Sequence, residues 1–250
     1  MTKTIAIAGK GGTGKTSIAA LLVRLLTQKG SVLAIDGDPS SNLHTALGLP
    51  LVETVGSVRE GLHDRKAVES TGMPKPDYVA MKIQDALVES QGVDLLAMGR
   101  PEGPGCYCAA NNWLRMSIDR LSSNYDYVVI DNEAGMEHIS RQTTRDVNIL
   151  LLISEPTIRG ITAAARMRQL IGELRTAVDR IVLVLNRTRN GIPKEIDEAI
   201  KQAGLELITA IPEDPNMAEL EVKGAPLTDL KADSPLYSGV LDLAKKLSLV

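Results

Sequence analysis

Apolar runs alternate with amphipathic stretches along the whole chain. Seven segments are strand candidates, several of them apolar almost throughout: 3–8 (KTIAIA), 31–35 (SVLAI), 93–98 (VDLLAM), 126–130 (DYVVI), 147–153 (VNILLLI), 180–185 (RIVLVL) and 205–210 (LELITA). They are short, and several lack the apolar–polar alternation of a strand wetted on one face. Such runs predict strands buried on both sides, as in a parallel sheet covered by helices. Helical spacing predicts helices over 15–29, 109–122, 158–176, 193–203, 215–223 and 234–247. Strand and helix in alternation predict one doubly wound α/β domain over residues 1–250, its sheet mainly parallel with helices on both faces. Residues 51–90 mix charges, Gly and Pro and are expected to form an elaboration outside the central sheet.

Composition narrows the class. The chain has 250 residues, 44% of them apolar, which suits one good core. There is no Phe, so Leu, Ile, Val and Ala must fill it. A net charge of −3 gives no overall pull toward nucleic acid or anionic lipid. No apolar run approaches the ~18–20 residues that cross a bilayer. The opening MTKTIAIAGKGG leads straight into a predicted strand and does not read as a signal peptide. A soluble cytoplasmic protein is expected, with no membrane or nucleic-acid partner. In that compartment the two cysteines stay reduced, which favours metal or redox chemistry over a structural disulfide.

The segment GKGGTGKTS, residues 9–17, lies between a predicted strand and a predicted helix. It satisfies G-x-x-x-x-G-K-[ST] through Gly9, Gly14, Lys15 and Thr16. Glycines let backbone N–H groups curl around phosphates, with Gly11, Gly12, Thr13 and Ser17 in the same cradle. Lys15 is placed to neutralise the β- and γ-phosphates and Thr16 to ligate Mg²⁺. Position 13 is expected to contribute mainly backbone. Two further strands end in acids. AIDGDPSSN, residues 34–42, carries Asp36 and Asp38; VVIDNEAG, residues 128–135, carries Asp131 and Gly135. Asp131 suits contact with Mg²⁺ through water, and Gly135 suits a backbone approach to the γ-phosphate.

Cys106 and Cys108, in GPGCYCAANNW, are the chain's two cysteines. A metal site, a redox pair and simple packing are all open on the residues alone. Two thiols do not complete a tetrahedral zinc shell. Their place before the helix predicted at 109–122 favours thiolate.

The spacing G-K-G-G-x-G-K-[ST]-[ST], with a second lysine at Lys10, resembles the deviant Walker A motif of the MinD/ParA/nitrogenase-iron-protein class. The resemblance implies that Lys10 acts across a homodimer on the partner's nucleotide. It also implies that Asp38, in a D-x-D-P switch, orients the attacking water, with Asp36 in support. VLNRTR (184–189) occupies the place of the class's base-reading loop. Guanine-specific relatives carry an aspartate at its fourth position; here that position is Arg189, which argues for ATP. Asn186 and Arg187, with Pro212 and Glu213 of AIPED (210–214), are the implied adenine contacts.

Within that class, the C-x-C and the NEAGMEHISR segment at 132–141 resemble the carbon monoxide dehydrogenase nickel-insertion ATPases (CooC type) and the related acetyl-CoA synthase maturation factor. That implies an ATP-dependent metallochaperone. Its Cys106 and Cys108 pair with those of a second subunit around Ni²⁺ or Zn²⁺, and apo carbon monoxide dehydrogenase or acetyl-CoA synthase is the client. Four thiolates suit Zn²⁺ in a tetrahedral shell and Ni²⁺ in a planar or tetrahedral one. His138 is expected to be structural or a relay, not a ligand. The alternatives are a ParA/MinD-like positioning ATPase on DNA or a surface, and an iron–sulfur carrier. The Arg-rich stretch 157–190, with seven Arg against one Glu and one Asp, reads first as a solvated face. The apolar stripe of 236–247 reads as core packing rather than a membrane anchor.

Overall fold

The computed structural model describes residues 2–61, 72–100, 108–133, 147–174 and 177–250. Seven strands form the sheet: β1 (Lys3–Gly9), β2 (Val32–Asp36), β3 (Val93–Ala97), β4 (Tyr127–Asp131), β5 (Val147–Ser154), β6 (Val178–Thr188) and β7 (Leu207–Pro212). Their order is β3-β2-β4-β1-β5-β6-β7, and every strand pair is parallel. Each predicted strand is present. The 180–185 run is longer than expected, because β6 extends past its apolar centre at both ends.

Successive residues of each strand feed opposite faces, and both faces are apolar. Ile5 and Ile7 enter one core, Ala6 and Ala8 the other. The first core is closed by α1 (Lys15–Leu26), the short α2 (Leu43–Leu47) and α9 (Pro235–Lys246). The second is closed by α5 (Cys108–Leu121), α6 (Ile158–Leu174) and α7 (Lys194–Gln202). A small α8 (Asn216–Lys223) lies between β7 and α9. This is why the strands read as continuous apolar runs.

The C-terminal stripe is buried as expected. Leu236, Tyr237, Val240, Ala244 and Leu247 enter the first core, joined by Leu243, with Leu241 packed against it. Arg24 stacks over the Tyr237 ring at 4.8 Å and donates to the Leu230 carbonyl at 2.6 Å, pinning α1 to this end of the chain. No helix among the described residues is long and apolar enough to cross a membrane.

Residues 51–90 differ from expectation in their role. Their described residues add no strand to the sheet, yet they form part of the core through α3 (Val55–Gly61) and α4 (Lys75–Asp85). Val55, Val58, Ile83, Ala86 and Leu87 are buried in the second core. Val88 and Leu95 exchange two backbone hydrogen bonds of 2.9 Å, which covers part of the β3 edge. Residues 62–71 of this stretch lie outside the described residues.

Candidate phosphate and base-binding site

The C-terminal ends of β1, β2 and β4 converge where the topology places a ligand crevice. The loop after β1 enters α1 through Gly14, which has φ +89° and caps the helix in the left-handed region. The space beside Gly14 is filled by Asn186, whose Nδ2 a Cβ there would overlap. Gly9 is forced by proximity too: a Cβ would overlap the Ile153 carbonyl oxygen of β5. These two glycines let the loop pass between neighbouring strands.

The loop is tied to itself through one carbonyl. Lys10 O accepts from Thr13 Oγ1 at 2.9 Å, Thr13 N–H at 3.4 Å and Lys15 Nζ at 3.4 Å. Thr13 thus uses its hydroxyl to brace the loop internally. Lys15 is buried and folded back on its own loop, whereas Lys10, Gly11 and Gly12 are exposed. Gly12, at φ +81°, has open space where a Cβ would stand. The first turn of α1 holds no acid, so its N–H end is left open to an anion.

Asp36 and Asp131 are register partners on adjacent parallel strands. Both are buried. Asp36 Oδ1 accepts from the Asp38 N–H at 3.1 Å and Oδ2 from the Leu43 N–H at 2.8 Å. Burial raises its pKa to about 6, and the two backbone donors oppose that rise. Asp131 Oδ2 accepts from the Thr16 hydroxyl at 2.6 Å, while Oδ1 is buried without a partner. Burial raises Asp131 to about 7, against the Thr16 bond and with a smaller push from Asp36. A buried, unpartnered carboxylate oxygen next to a P-loop hydroxyl fits Mg²⁺, a hard cation that takes oxygen ligands. The Thr16 oxygen keeps lone pairs for a cation while its O–H donates to Asp131. Asp38 lies partly exposed in the loop after β2, its Oδ1 accepting the Ser40 N–H at 2.8 Å.

The base-side residues also come together. Asn186, Arg187, Pro212 and Glu213 line a cavity of about 200 Å³ with Gly14, Ser17, Asp214 and Met217. Asn186 faces the loop rather than solvent: its Nδ2 donates to the Thr13 carbonyl at 2.8 Å, bracing the phosphate loop from β6. Arg187 pairs with Glu155 at 3.4 Å, and Arg189 forms a two-pronged bond with Glu213. Asp214, not anticipated from sequence, is spent on structure. It accepts from the Asn216 and Leu236 N–H groups and the Ser234 hydroxyl, fixing the starts of α8 and α9. An acid just before a helix was the signal for such a cap.

Four arginines of the Arg-rich stretch bond within the molecule. Arg168 caps the C-terminal end of α7 through Ala203 O and Gly204 O, and Arg180 pairs with Glu206. With Arg187 and Arg189, four of its arginines are engaged. Lys10 lines a second cavity, about 240 Å³, with Glu155, Thr157 and Arg159.

Gly135, Cys106 and His138 lie outside the described residues. Cys108 is the first residue of α5, whose partner β4 runs the opposite way, so the helix starts at the same end of the sheet as Asp131. Among the described residues no cluster of three or more His, Cys, Asp or Glu is arranged to hold a metal.

Comparison with known proteins adds an independent line. The model of the CobQ/CobB/MinD/ParA nucleotide-binding domain matches residues 4–227. An uncharacterized ATP-binding protein of Methanocaldococcus jannaschii is 44% identical, covering 97% of each chain. The carbon monoxide dehydrogenase accessory protein CooC of Rhodospirillum rubrum is 31% identical, covering 90% of this chain and 89% of its own. Among solved structures, the septum site-determining protein MinD of Pyrococcus horikoshii OT3, complexed with Mg-ADP, superposes with TM-score 0.72 at 26% identity. It covers 99% of this chain and 96% of its own.

Proposed function

Because this chain belongs to the CobQ/CobB/MinD/ParA family of nucleotide-binding proteins, we propose that it is a single-domain Mg²⁺-ATPase that carries nickel to an apo-enzyme of the carbon monoxide dehydrogenase/acetyl-CoA synthase type. The observation that carries this reading is the C-x-C at Cys106 and Cys108, on a chain 31% identical over nine-tenths of its length to CooC.

Nucleotide phosphates lie against the Gly9–Ser17 loop and the open start of α1. Lys15 turns from Lys10 O to the β- and γ-phosphates. Mg²⁺, held by the Thr16 hydroxyl and the free Oδ1 side of Asp131, supplies charge neutralisation at the transferring phosphoryl group. The base lies in the cavity of Asn186, Arg187, Pro212 and Glu213. Asp38 orients a water on the γ-phosphorus; the new P–O bond forms as the bond to the β–γ bridging oxygen breaks, giving ADP and phosphate. Lys10, exposed, reaches the nucleotide of a second subunit. ATP thereby draws two chains together, and Cys106 and Cys108 of each supply four thiolates to one Ni²⁺ or Zn²⁺.

A second reading, a positioning ATPase, draws support from the MinD-like fold match. Against a membrane-bound form of it stands the buried stripe of α9.

Light scattering and metal analysis with ADP or ATP separate the two. The carrier reading expects a dimer with ATP and about one nickel or zinc per dimer, lost in Cys106→Ser. Stoichiometric metal that survives that substitution would sink it. DNA binding that weakens steeply with salt and ignores the substitution would favour the second reading.

A further inference from the structure

The loop after β2 hangs on side-chain hydrogen bonds. Asp36 holds both ends, through Asp38 N–H and Leu43 N–H. A third bond leaves the loop altogether. Ser41 Oγ accepts the N–H of Gly99 at 3.1 Å and faces the Asp38 carbonyl oxygen at 3.3 Å, to which it donates. The Ser41 N–H also bonds that carbonyl, at 2.9 Å. Ser41 is only 6% exposed and holds φ +47°, a left-handed conformation that costs a non-glycine residue. Glycine would adopt that backbone freely, so the hydroxyl is what the strained position retains.

Gly99 sits just past β3 and is gripped from its other side. It has φ +66°, and a Cβ there would overlap the Thr54 side chain. The exit of β3 is thus clamped between Ser41 and Thr54. Cys106 follows Gly99 by seven positions in the sequence. At the other end of the path, Asp38 and Asp36 both act electrostatically on Asp131. Charge arriving at Lys15, Thr16 and Asp131 therefore reaches the loop that holds Ser41.

We propose that the Ser41 hydroxyl is a positioning device that transmits the state of the Asp38 turn to Gly99, where the chain leaves β3 toward Cys106. With nucleotide drawing the Asp38 turn toward the phosphates, the Ser41–Gly99 bond moves the strand exit with it. Loss of the γ-phosphate releases both. That this motion alters metal affinity rests on the nickel-carrier reading; the relay itself does not.

The test uses the full chain, as wild type, Ser41→Ala and Ser41→Gly. Alanine keeps the left-handed cost and removes the hydroxyl; glycine removes both. Agreement between them isolates the hydroxyl from strain. Amide exchange at Gly99 is read with Mg-ADP and with a Mg-bound non-hydrolysable ATP analogue. Wild type should show about five-fold different protection in the two states, the scale of one net hydrogen bond. Both variants should lose that difference. Equal protection in the two states for wild type, or a difference kept by either variant, overturns the relay. In a second arm, Ni²⁺ alone is titrated in each nucleotide state. Wild-type affinities should differ about ten-fold, and both variants should lose most of that ratio. Nucleotide-sensitive Gly99 protection without cysteine-dependent Ni²⁺ binding would sink the carrier reading and still support the relay.

Discussion

At the phosphate end of the candidate cleft, Lys15, Asp36 and Asp131 are all buried. At the base end, Arg187, Arg189, Glu155 and Glu213 pair with one another at the surface, with 44–77% of their side chains exposed. The same kinds of charge are therefore worth different amounts in the two places. Buried charge interacts through a poorly screened medium, so its partners shift its protonation and its removal is costly. Surface pairs are screened, and their median contribution is small. The chain concentrates its buried charge at the first end. It can leave the second end to shape. Substitutions that exchange these expectations would break the comparison.

The largest effect is expected at Lys15. On the proposed reading, replacing it by alanine removes the positive charge that turns from Lys10 O to the phosphates, and kcat/KM for Mg-ATP should fall about 10²–10³-fold. Steady-state hydrolysis measures it. A fall of less than ten-fold would move the main charge stabilisation away from this loop.

Next is Asp131, tested through pH. Its pKa is raised by burial to about 7 from the ordinary 3.8, and that of Asp36 to about 6. A carboxyl with a raised folded pKa binds its proton more tightly when folded. The stability it contributes is full below pH ~4 and is lost as pH rises through the folded pKa. Without Mg²⁺ or nucleotide, wild type should therefore lose stability between pH 4 and 7 relative to Asp131→Asn. The gap should reach a few kcal/mol at pH 8, an order-of-magnitude figure because the two acids share it. Urea unfolding of both proteins at pH 5 and pH 8 gives the gap at each. Mg²⁺ with nucleotide should narrow it at pH 8 by favouring the ionised wild-type carboxyl. An equal gap at both pH values would show that Asp131 does not titrate in the folded state as its burial requires.

The contrast also explains what could be read before any coordinates. The seven strands announce themselves because both faces of the sheet are apolar. The phosphate loop does so because its residues are consecutive and sit between a strand and a helix. The three helices between residues 43 and 85 did not. α2 is a single short turn set between the Asp36 bond to Leu43 and Gly48 at φ +70°. α4 begins after Pro74, with a further Pro in its first turn, and its apolar face has meaning only within the second core. Site residues divide in the same way. Lys15, Thr16, Asp38 and Asp131 lie in motifs. Ser41 and the brace from Asn186 depend on partners 58 and 173 residues away. Local spacing carries no signal for such bonds. Asn186 shows the limit well: the motif placed it beside the base, and the fold adds that its amide holds the Thr13 carbonyl.

The smallest effect is expected at Arg189, which tests the base end by being nearly neutral. Its guanidinium and the Glu213 carboxylate hold each other, and the bond lowers the Glu213 pKa. Yet the Arg189 side chain is 77% exposed, and Glu213 45%. Solvent and salt screen the pair, and ordering two long side chains offsets part of its attraction. Arg189→Ala should leave the urea midpoint nearly where it is in wild type and change ATP affinity by less than about three-fold, with kcat unchanged. Glu213 still lines the cavity through a backbone held by its N–H to the Thr188 carbonyl at 3.1 Å. Fluorescent-nucleotide titration and urea unfolding at low and high salt supply both readouts. A ten-fold loss of affinity that persists at high salt would mean that Arg189 contacts the nucleotide itself. The base end would then share the electrostatic character of the phosphate end, and the contrast between them would fail.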